Sequence, residues 1–280
     1  MKFETSGEHR LFAESVREAI GGWEPPREPE LGDWQDDRDD ELAARLAAAG
    51  WADLWATGDL LEAVVAGGLE LGRAAAPMCV IDETTLGAPL WIDGRTRHGL
   101  NSTSLAMPLR AGGLALVAPR SGGRTEATID GNGTVRVDIE VVGELELVAA
   151  AACWQAWSAA TLGYLAGLAE RALELAVEHA RTREQFGGPL AALPAVRSRL
   201  SDAALAVDAM TLLAWSSPSD ERSLPAPELV WAGAACCDVT ASAHQVHGAL
   251  GFALETGLHR FYRRARATHA WATAVCVATR

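Results

Sequence analysis

From residue 149 to the end of the chain the sequence keeps one pattern, with apolar residues returning every three or four positions over stretches of about twenty residues or more. Leu162, Leu165, Ala169, Leu173, Ala176 and Ala180 make one stripe, with Glu170, Arg171, Glu174 and Glu178 off it. Val196, Leu200, Ala203, Val207, Met210 and Ala214 make a second. Leu229, Ala232, Cys236, Val239, Ala243 and Val246 make a third, closed by Gly248 and Gly251, and a fourth covers 255–278. A helix with one apolar stripe has to bury that stripe. Four long ones in succession, with a proline-bearing loop at 216–227, predict a four-helix bundle over 149–280.

The first third is also read as helical. Leu11, Val16, Ala19 and Ile20 keep helical spacing over 7–21, and Leu42, Leu46 and Ala49 repeat it from residue 40 until Gly50 closes the helix. A further pattern runs from Leu60 through Val64 and Leu71 to Ala76, stopped by Pro77. The prolines and acids of 23–40 are read as an exposed loop. Between 102 and 148 the period changes to two. Val135, Val137, Ile139 and Val141 alternate with Arg136, Asp138 and Glu140, and the tolerant Asp130-Gly131-Asn132-Gly133 predicts a hairpin of 125–129 with 134–142. Short strands at 114–118 and 145–148 would complete one small sheet of about four or five strands. The expected fold class is therefore mainly α with a small β segment: a helical domain at 1–100, a reduced β domain at 101–148 and the bundle at 149–280.

Composition narrows the class of partner. A chain of 280 residues, 49% apolar and 22% charged, is long enough to bury a self-sufficient core. With 24 basic against 37 acidic residues the net charge is −13, which repels nucleic acid on average. The one uncharged apolar stretch of membrane length, near 147–169, carries Gln155, Ser158 and Thr161 and reads as a buried helix of a soluble protein, not a membrane span. Five cysteines without a CxxC spacing suit a reducing cytoplasm.

Two clusters carry possible chemistry. Arg181-Thr182-Arg183-Glu184-Gln185-Phe186-Gly187-Gly188-Pro189 ends a helix in two arginines, a phenylalanine and a tight turn. Arginine binds phosphate bidentately and phenylalanine stacks on rings, but cations at a helix C-terminus also complement its dipole, so both readings stand. In His244-Gln245-Val246-His247-Gly248-Ala249-Leu250-Gly251-Phe252, small residues after a glutamine admit another molecule to the backbone, or simply stop the helix. His244 and His247 have no third ligand nearby in sequence, so no metal site is expected.

Taken together, Arg183-x-x-Phe186-Gly187, Gln245-x-x-Gly248-x-x-Gly251 about sixty residues later, and then Leu258-His259-Arg260 with Arg263-Arg264-Ala265-Arg266, resemble the C-terminal half of acyl-CoA dehydrogenases. The resemblance covers 157–266 well and the N-terminal third more loosely, through 42–51 and Glu70-Leu71-Gly72-Arg73-Ala74-Ala75-Ala76-Pro77. It implies an acyl-CoA dehydrogenase-like fold and a flavin whose ADP part is held across a subunit interface by Arg183, Phe186, Gln245 and Gly248, with Ala249 where the family has its second glycine.

The departures from the family pattern point further. The family's catalytic glutamate, which removes the proton α to the thioester, corresponds to Ala272 in one branch and to about Trp157 in another, and neither is a base. His269 stands one turn from residue 272, rotated off the site. The middle segment lacks the tryptophan followed by serine or threonine that covers the flavin ring in the family. The resemblance therefore implies the shortened, non-catalytic subunit of a heteromeric acyl-CoA dehydrogenase, such as those acting on steroid side-chain thioesters in actinobacteria. No catalytic residue is assigned to the chain, FAD is shared across the interface, and a catalytic partner subunit supplies the glutamate within a heterotetramer. The alternatives are a self-sufficient homo-oligomeric flavin acyl-CoA dehydrogenase and a flavin-free scaffold.

Overall fold

The computed structural model describes residues 7–21, 23, 38–51, 61–96, 103–120, 124–126, 134–144, 147–217 and 227–280. Of the loops expected at 23–40 and 216–227, residues 24–37 and 218–226 lie outside the described residues, as does the turn at 130–133, while 38–40 already belong to a helix and Ser216 still to one.

Four helices open the chain: α1 (Gly7–Gly21), α2 (Arg38–Ala48), α3 (Leu61–Arg73) and α4 (Cys79–Leu86). The predicted stripe of α2 buries Leu42 and Leu46 completely. Gly50, at φ 83°, lets the chain turn back so that the Trp51 N–H donates to the Leu46 carbonyl, the geometry of a glycine-closed helix end. α3 stops earlier than Pro77 requires. Ala75 takes the left-handed conformation at φ 51°, and the Ala76 N–H donates to the Leu71 carbonyl, so the helix ends by its own capping hydrogen bonds before the proline is reached.

The β segment differs from the single sheet expected. β1 (Trp91–Ile92), β2 (Arg95–Thr96), β6 (Thr134–Arg136) and β5 (Arg124–Glu126) form one sheet in that order, and β3 (Leu105–Pro108), β4 (Leu114–Pro119) and β7 (Ile139–Glu144) form another. β5 pairs with β6 as predicted, yet the strand expected over 134–142 is split between the two sheets. At the break Val137 buries itself beside Leu105, Ala115 and Val117, its N–H donates to the Gly94 carbonyl, and the Asp138 carbonyl accepts from Arg120. Alternation alone does not reveal a strand that changes partner without changing its period. The Asp93-Gly94 turn between β1 and β2, both residues at positive φ, is a two-residue hairpin signal the sequence reading passed over. The strand expected at 145–148 is also corrected, since Leu147 already belongs to a helix.

That helix, α5 (Leu147–Thr182), runs 36 residues, about 54 Å at 1.5 Å per residue. It packs against α3, α4, α6 (Pro194–Ser216), α7 (Pro227–His247) and α8 (Leu258–Ala278). Residues 159–169 are buried on every side, which accounts for their uninterrupted apolar run. No described helix is long and apolar enough to cross a membrane. The predicted stripe of α7 is buried throughout, and a single core extends from Val16 to Val275.

Polar ends of large side chains fix how these layers sit. The Trp51 indole donates to the Val80 carbonyl at 3.2 Å, the Trp154 indole to Gly112 at 3.1 Å and the Tyr164 hydroxyl to Ala76 at 2.7 Å. Each buries an aromatic body while leaving no polar tip unsatisfied. Arg73 at the end of α3 bonds both Glu170 and Glu174 of α5. Burial opposes its charge, but the two carboxylates outweigh that and hold the guanidinium above its ordinary pKa. The polar face of α5 is therefore a second seam with α3 rather than a purely solvated surface. Arg73→Ala is expected to lower stability by roughly 1–3 kcal/mol in a urea titration, because it leaves two half-buried carboxylates side by side.

Candidate functional site

The two sequence clusters meet. α5 carries His179 and, one turn on, Arg183. β8 (Glu184–Gln185) and β9 (Gly188–Pro189) then form a two-residue hairpin whose turn is Phe186 at φ 58° and Gly187 at φ 87°. Glycine accepts that conformation freely; phenylalanine is strained there, and its side chain is left 85% exposed. The Leu190 N–H donates to the Arg183 carbonyl and ties the hairpin back to the helix end. Opposite, α7 ends on Gln245, His247 and Gly248. A cavity of about 520 Å³ lies between these segments and the first turns of α6, within the roughly 300–1,000 Å³ range of small-molecule sites.

All five residues predicted to hold a cofactor, Arg183, Phe186, Gln245, Gly248 and Ala249, line this one cavity. The two motif glycines differ in role. Gly248 sits at φ 62° with nothing within 4 Å of where a Cβ would stand, so its backbone is open to a ligand. A Cβ on Gly251 would stand 3.0 Å from the His244 carbonyl oxygen, so that glycine serves close packing. Ala249 adds a methyl to the rim but does not close it.

The wall has a one-sided charge. His179, Arg183, Arg199 and His247 line it, and no aspartate or glutamate does, on a chain of net charge −13. The rings of His179 and His247 stack with centroids 4.3 Å apart and planes 20° from parallel. The His247 Nδ1 lies 2.8 Å from the Ala243 carbonyl, which can only accept, so that nitrogen carries the proton. Burial, followed by the neighbouring His247 and Arg183, lowers the pKa of His179; burial, followed by His247 and His259, lowers that of His244. Histidines held neutral by the fold regain their protons on unfolding. Stability is therefore fully present above the ordinary histidine pKa of about 6.5 and falls as the pH drops from there through the lower folded values. The thermal midpoint is expected to fall between about pH 7 and pH 5, with a shallower fall in His179→Asn.

An arrangement of cations, amide side chains, exposed backbone and an apolar floor of Leu190, Val196 and Val246 suits a ligand with phosphate at one end and a flat ring at the other. The donor set fits the ADP part of a flavin. Sequence reasoning missed Arg199 and His179. His179 was detectable, being four residues before Arg183 and so on the same helix face. Arg199 gave no signal, because only packing brings α6 to this wall.

The two positions that the resemblance sets against a catalytic base, Trp157 and Ala272, are not among the residues lining the cavity. Trp157 is fully buried and donates its indole N–H to Asp82 of α4 at 2.9 Å, while the Leu90 N–H lies 3.4 Å from the other carboxylate oxygen. Ala272 is fully buried. His269 packs against Gly233 of α7, where a Cβ would stand 2.8 Å from its Nδ1, and is not among the residues lining the cavity. His244 sits against Phe252 and Tyr262. Among the described residues no three of His, Cys, Asp and Glu gather as a metal site. Asp82 was also missed; an acid inside the apolar run 78–82 was its only mark. Trp157→Phe is expected to cost about 1–3 kcal/mol in chemical unfolding by taking a donor from a buried carboxylate.

Comparison with known proteins agrees with this architecture. Residues 156–272 match the acyl-CoA dehydrogenase C-terminal domain. The 3-sulfinopropanoyl-CoA desulfinase of Paraburkholderia xenovorans is 34% identical over 105 residues, 36% of this chain and 27% of that one. The match thus spans about a quarter of that relative. Over nearly the whole chain the fold is similar to the ChsE4-ChsE5 complex from Mycobacterium tuberculosis, with a TM-score of 0.72 at 18% identity covering 98% of this chain and 95% of that one. It is similar also to a variant of the Tcur3481-Tcur3483 steroid ACAD, with a TM-score of 0.74 at 17% identity covering 96% of each. Residues 156–272 thus carry an acyl-CoA dehydrogenase C-terminal domain, and the chain as a whole has the fold of these neighbours.

Proposed function

We propose that this chain is the FAD-binding accessory subunit of a heteromeric acyl-CoA dehydrogenase, in which Arg183, Phe186, Gln245, Gly248 and Ala249 hold the ADP end of the flavin and a partner subunit supplies the catalytic glutamate. The observation that carries the reading is the cavity itself, which joins two motifs about sixty residues apart under a wall that carries Arg183 and Arg199 and, among the described residues, no carboxylate. When bound, the flavin would accept the hydride lost from the β-carbon of an acyl-CoA. This chain's residues would grip and orient its phosphate end, Arg183 by a paired hydrogen bond and Gly248 by backbone approach.

Two further observations support a partner. Both positions that correspond to the family's base are occupied by fully buried side chains that accept no proton, Trp157 and Ala272, with Trp157 bonded to Asp82. Phe186 and Leu250, at the cavity, and Phe252 and Leu254 beyond it are 85, 50, 77 and 60% exposed, an apolar edge suited to a second subunit. The ChsE4-ChsE5 neighbour is itself a complex, and the Tcur3481-Tcur3483 neighbour a steroid enzyme, which favours a steroid side-chain CoA thioester as the assembly's substrate.

The test is co-expression with the acyl-CoA dehydrogenase encoded beside its gene, followed by mass and flavin absorbance. A yellow heterotetramer that forms only on co-expression supports the accessory role. A yellow protein that oxidises acyl-CoA alone identifies a self-sufficient enzyme and overturns it. A complex whose flavin content is indifferent to this chain identifies a scaffold.

A further inference from the structure

The stacked imidazoles of His179 and His247 have no part in the motif residues' grip on the flavin. They come from two different helices, α5 and α7, and both face the cavity. Two rings 4.3 Å apart can share one positive charge but strongly resist two, since like charges at that distance repel by several kcal/mol at the dielectric of a protein surface. The charged groups around them are uniformly cationic when ionised: Arg183 at the end of α5, Arg199 from α6, His244 from α7 and His259 from α8 behind it. Burial, followed by the neighbouring His247 and Arg183, lowers the pKa of His179, so without an anion that ring resists a proton. A phosphate in the cavity reverses that balance, because the nearest opposite charge then favours a proton on the rings.

We propose that the His179–His247 stack is a charge-reading element of this cavity, which takes up a single proton when a diphosphate-bearing ligand binds and so makes the ligand's affinity depend on pH. The proposal rests on the flavin-site reading, and it gives a role to His179, outside both motifs, and to His247, an unspecified position within the second. His247 is suited to this role because its Nδ1 proton is committed to the Ala243 carbonyl, so an added proton goes to Nε2 and turns an acceptor into a donor. His179 lies in the last turn of α5, where the helix C-terminus favours a cation. Binding should therefore tighten as the pH falls through the histidine range.

The probe is ADP-ribose, whose diphosphate is a diester and does not titrate near neutrality, so that any proton uptake belongs to the protein. Calorimetry of the full chain in buffers of differing ionisation heat at about pH 6.5 is expected to show uptake of roughly 0.3 to 1 proton, falling toward zero near pH 8.5, with affinity weakening about fivefold or more over that range. The double variant His179→Asn, His247→Asn keeps a donor toward Ala243 and should abolish the uptake while binding at pH 8.5 stays within about threefold. Should the variant not fold, the buffer series and the histidine ring resonances of the natural chain decide. ADP-ribose binding with a buffer-independent enthalpy, uptake well above one proton, or uptake that survives in a folded double variant overturns the stack's role and leaves the flavin site standing. Absence of ADP-ribose binding at every pH overturns the stack's role, while the flavin-site reading is decided separately by the flavin content of the co-expressed complex.

Discussion

Replacing Gly167 by alanine is expected to lower the unfolding free energy by about 3 kcal/mol or more. The reason is the crossing of α3 and α5. A Cβ on Gly167 would stand 2.0 Å from the Leu69 carbonyl oxygen, and one on Gly72 would stand 2.0 Å from the Tyr164 carbonyl oxygen. Gly68 and Gly163 face Ala160 and Val65 in the same way, each at 2.5 Å. Two glycine pairs four residues apart, Gly68 with Gly72 and Gly163 with Gly167, thus let the backbones touch along one groove. The obstacle to a methyl is backbone rather than a side chain that can swing aside, so the helices must separate and the core around Tyr164 and Leu165 must open. Gly143→Ala is the control, because nothing lies within 4 Å of its Cβ, and it should change stability by no more than about 0.5 kcal/mol. Matched urea titrations of the two variants decide it. Equal midpoints would show that the crossing is looser than described.

The second large effect concerns the cavity. Arg183→Ala in the co-expressed complex is expected to weaken flavin binding by roughly 10- to 150-fold, the loss of a charged hydrogen bond of about 1.5–3 kcal/mol, and to reduce yellow colour and acyl-CoA oxidation together. Arg183→Lys should recover only part of this, since an ammonium cannot make the planar paired contact with a phosphate. Arg183 is exposed and no described carboxylate pairs with it, so the variant should unfold at nearly the natural temperature, which separates a binding defect from a folding defect. Unchanged flavin content would remove the accessory-subunit reading and leave the scaffold.

Gly167 and Arg183 differ in how far the sequence alone reveals them. Arg183 belongs to a motif in which residue type and spacing carry chemistry, and it stands out with Phe186, Gln245, Gly248 and Ala249 before any fold is known. Gly167 looks like one small residue among the alanines of α5, because which glycine meets a backbone depends on the helix that crosses it. Glu170 and Glu174 read as outward-facing, and they do lie off the apolar stripe. Only the approach of Arg73 from α3 turns them into a seam. The hairpin of β5 and β6 is written in local turn residues, whereas the break at Val137 is not, since a strand that passes from one sheet to another keeps its alternation.

Local pattern was enough to specify the helices and their buried faces, because a stripe at three- and four-residue spacing has one way to leave water. It was enough also for each half of the site, since each half is a contiguous segment. Packing was needed to bring those halves to one cavity, to add His179 and Arg199 to its wall, to join Asp82 to Trp157 across 75 residues of chain, and to set α3 and α5 backbone to backbone. These are contacts between distant segments. Their free energy depends on shape and distance across an interface that no local pattern encodes.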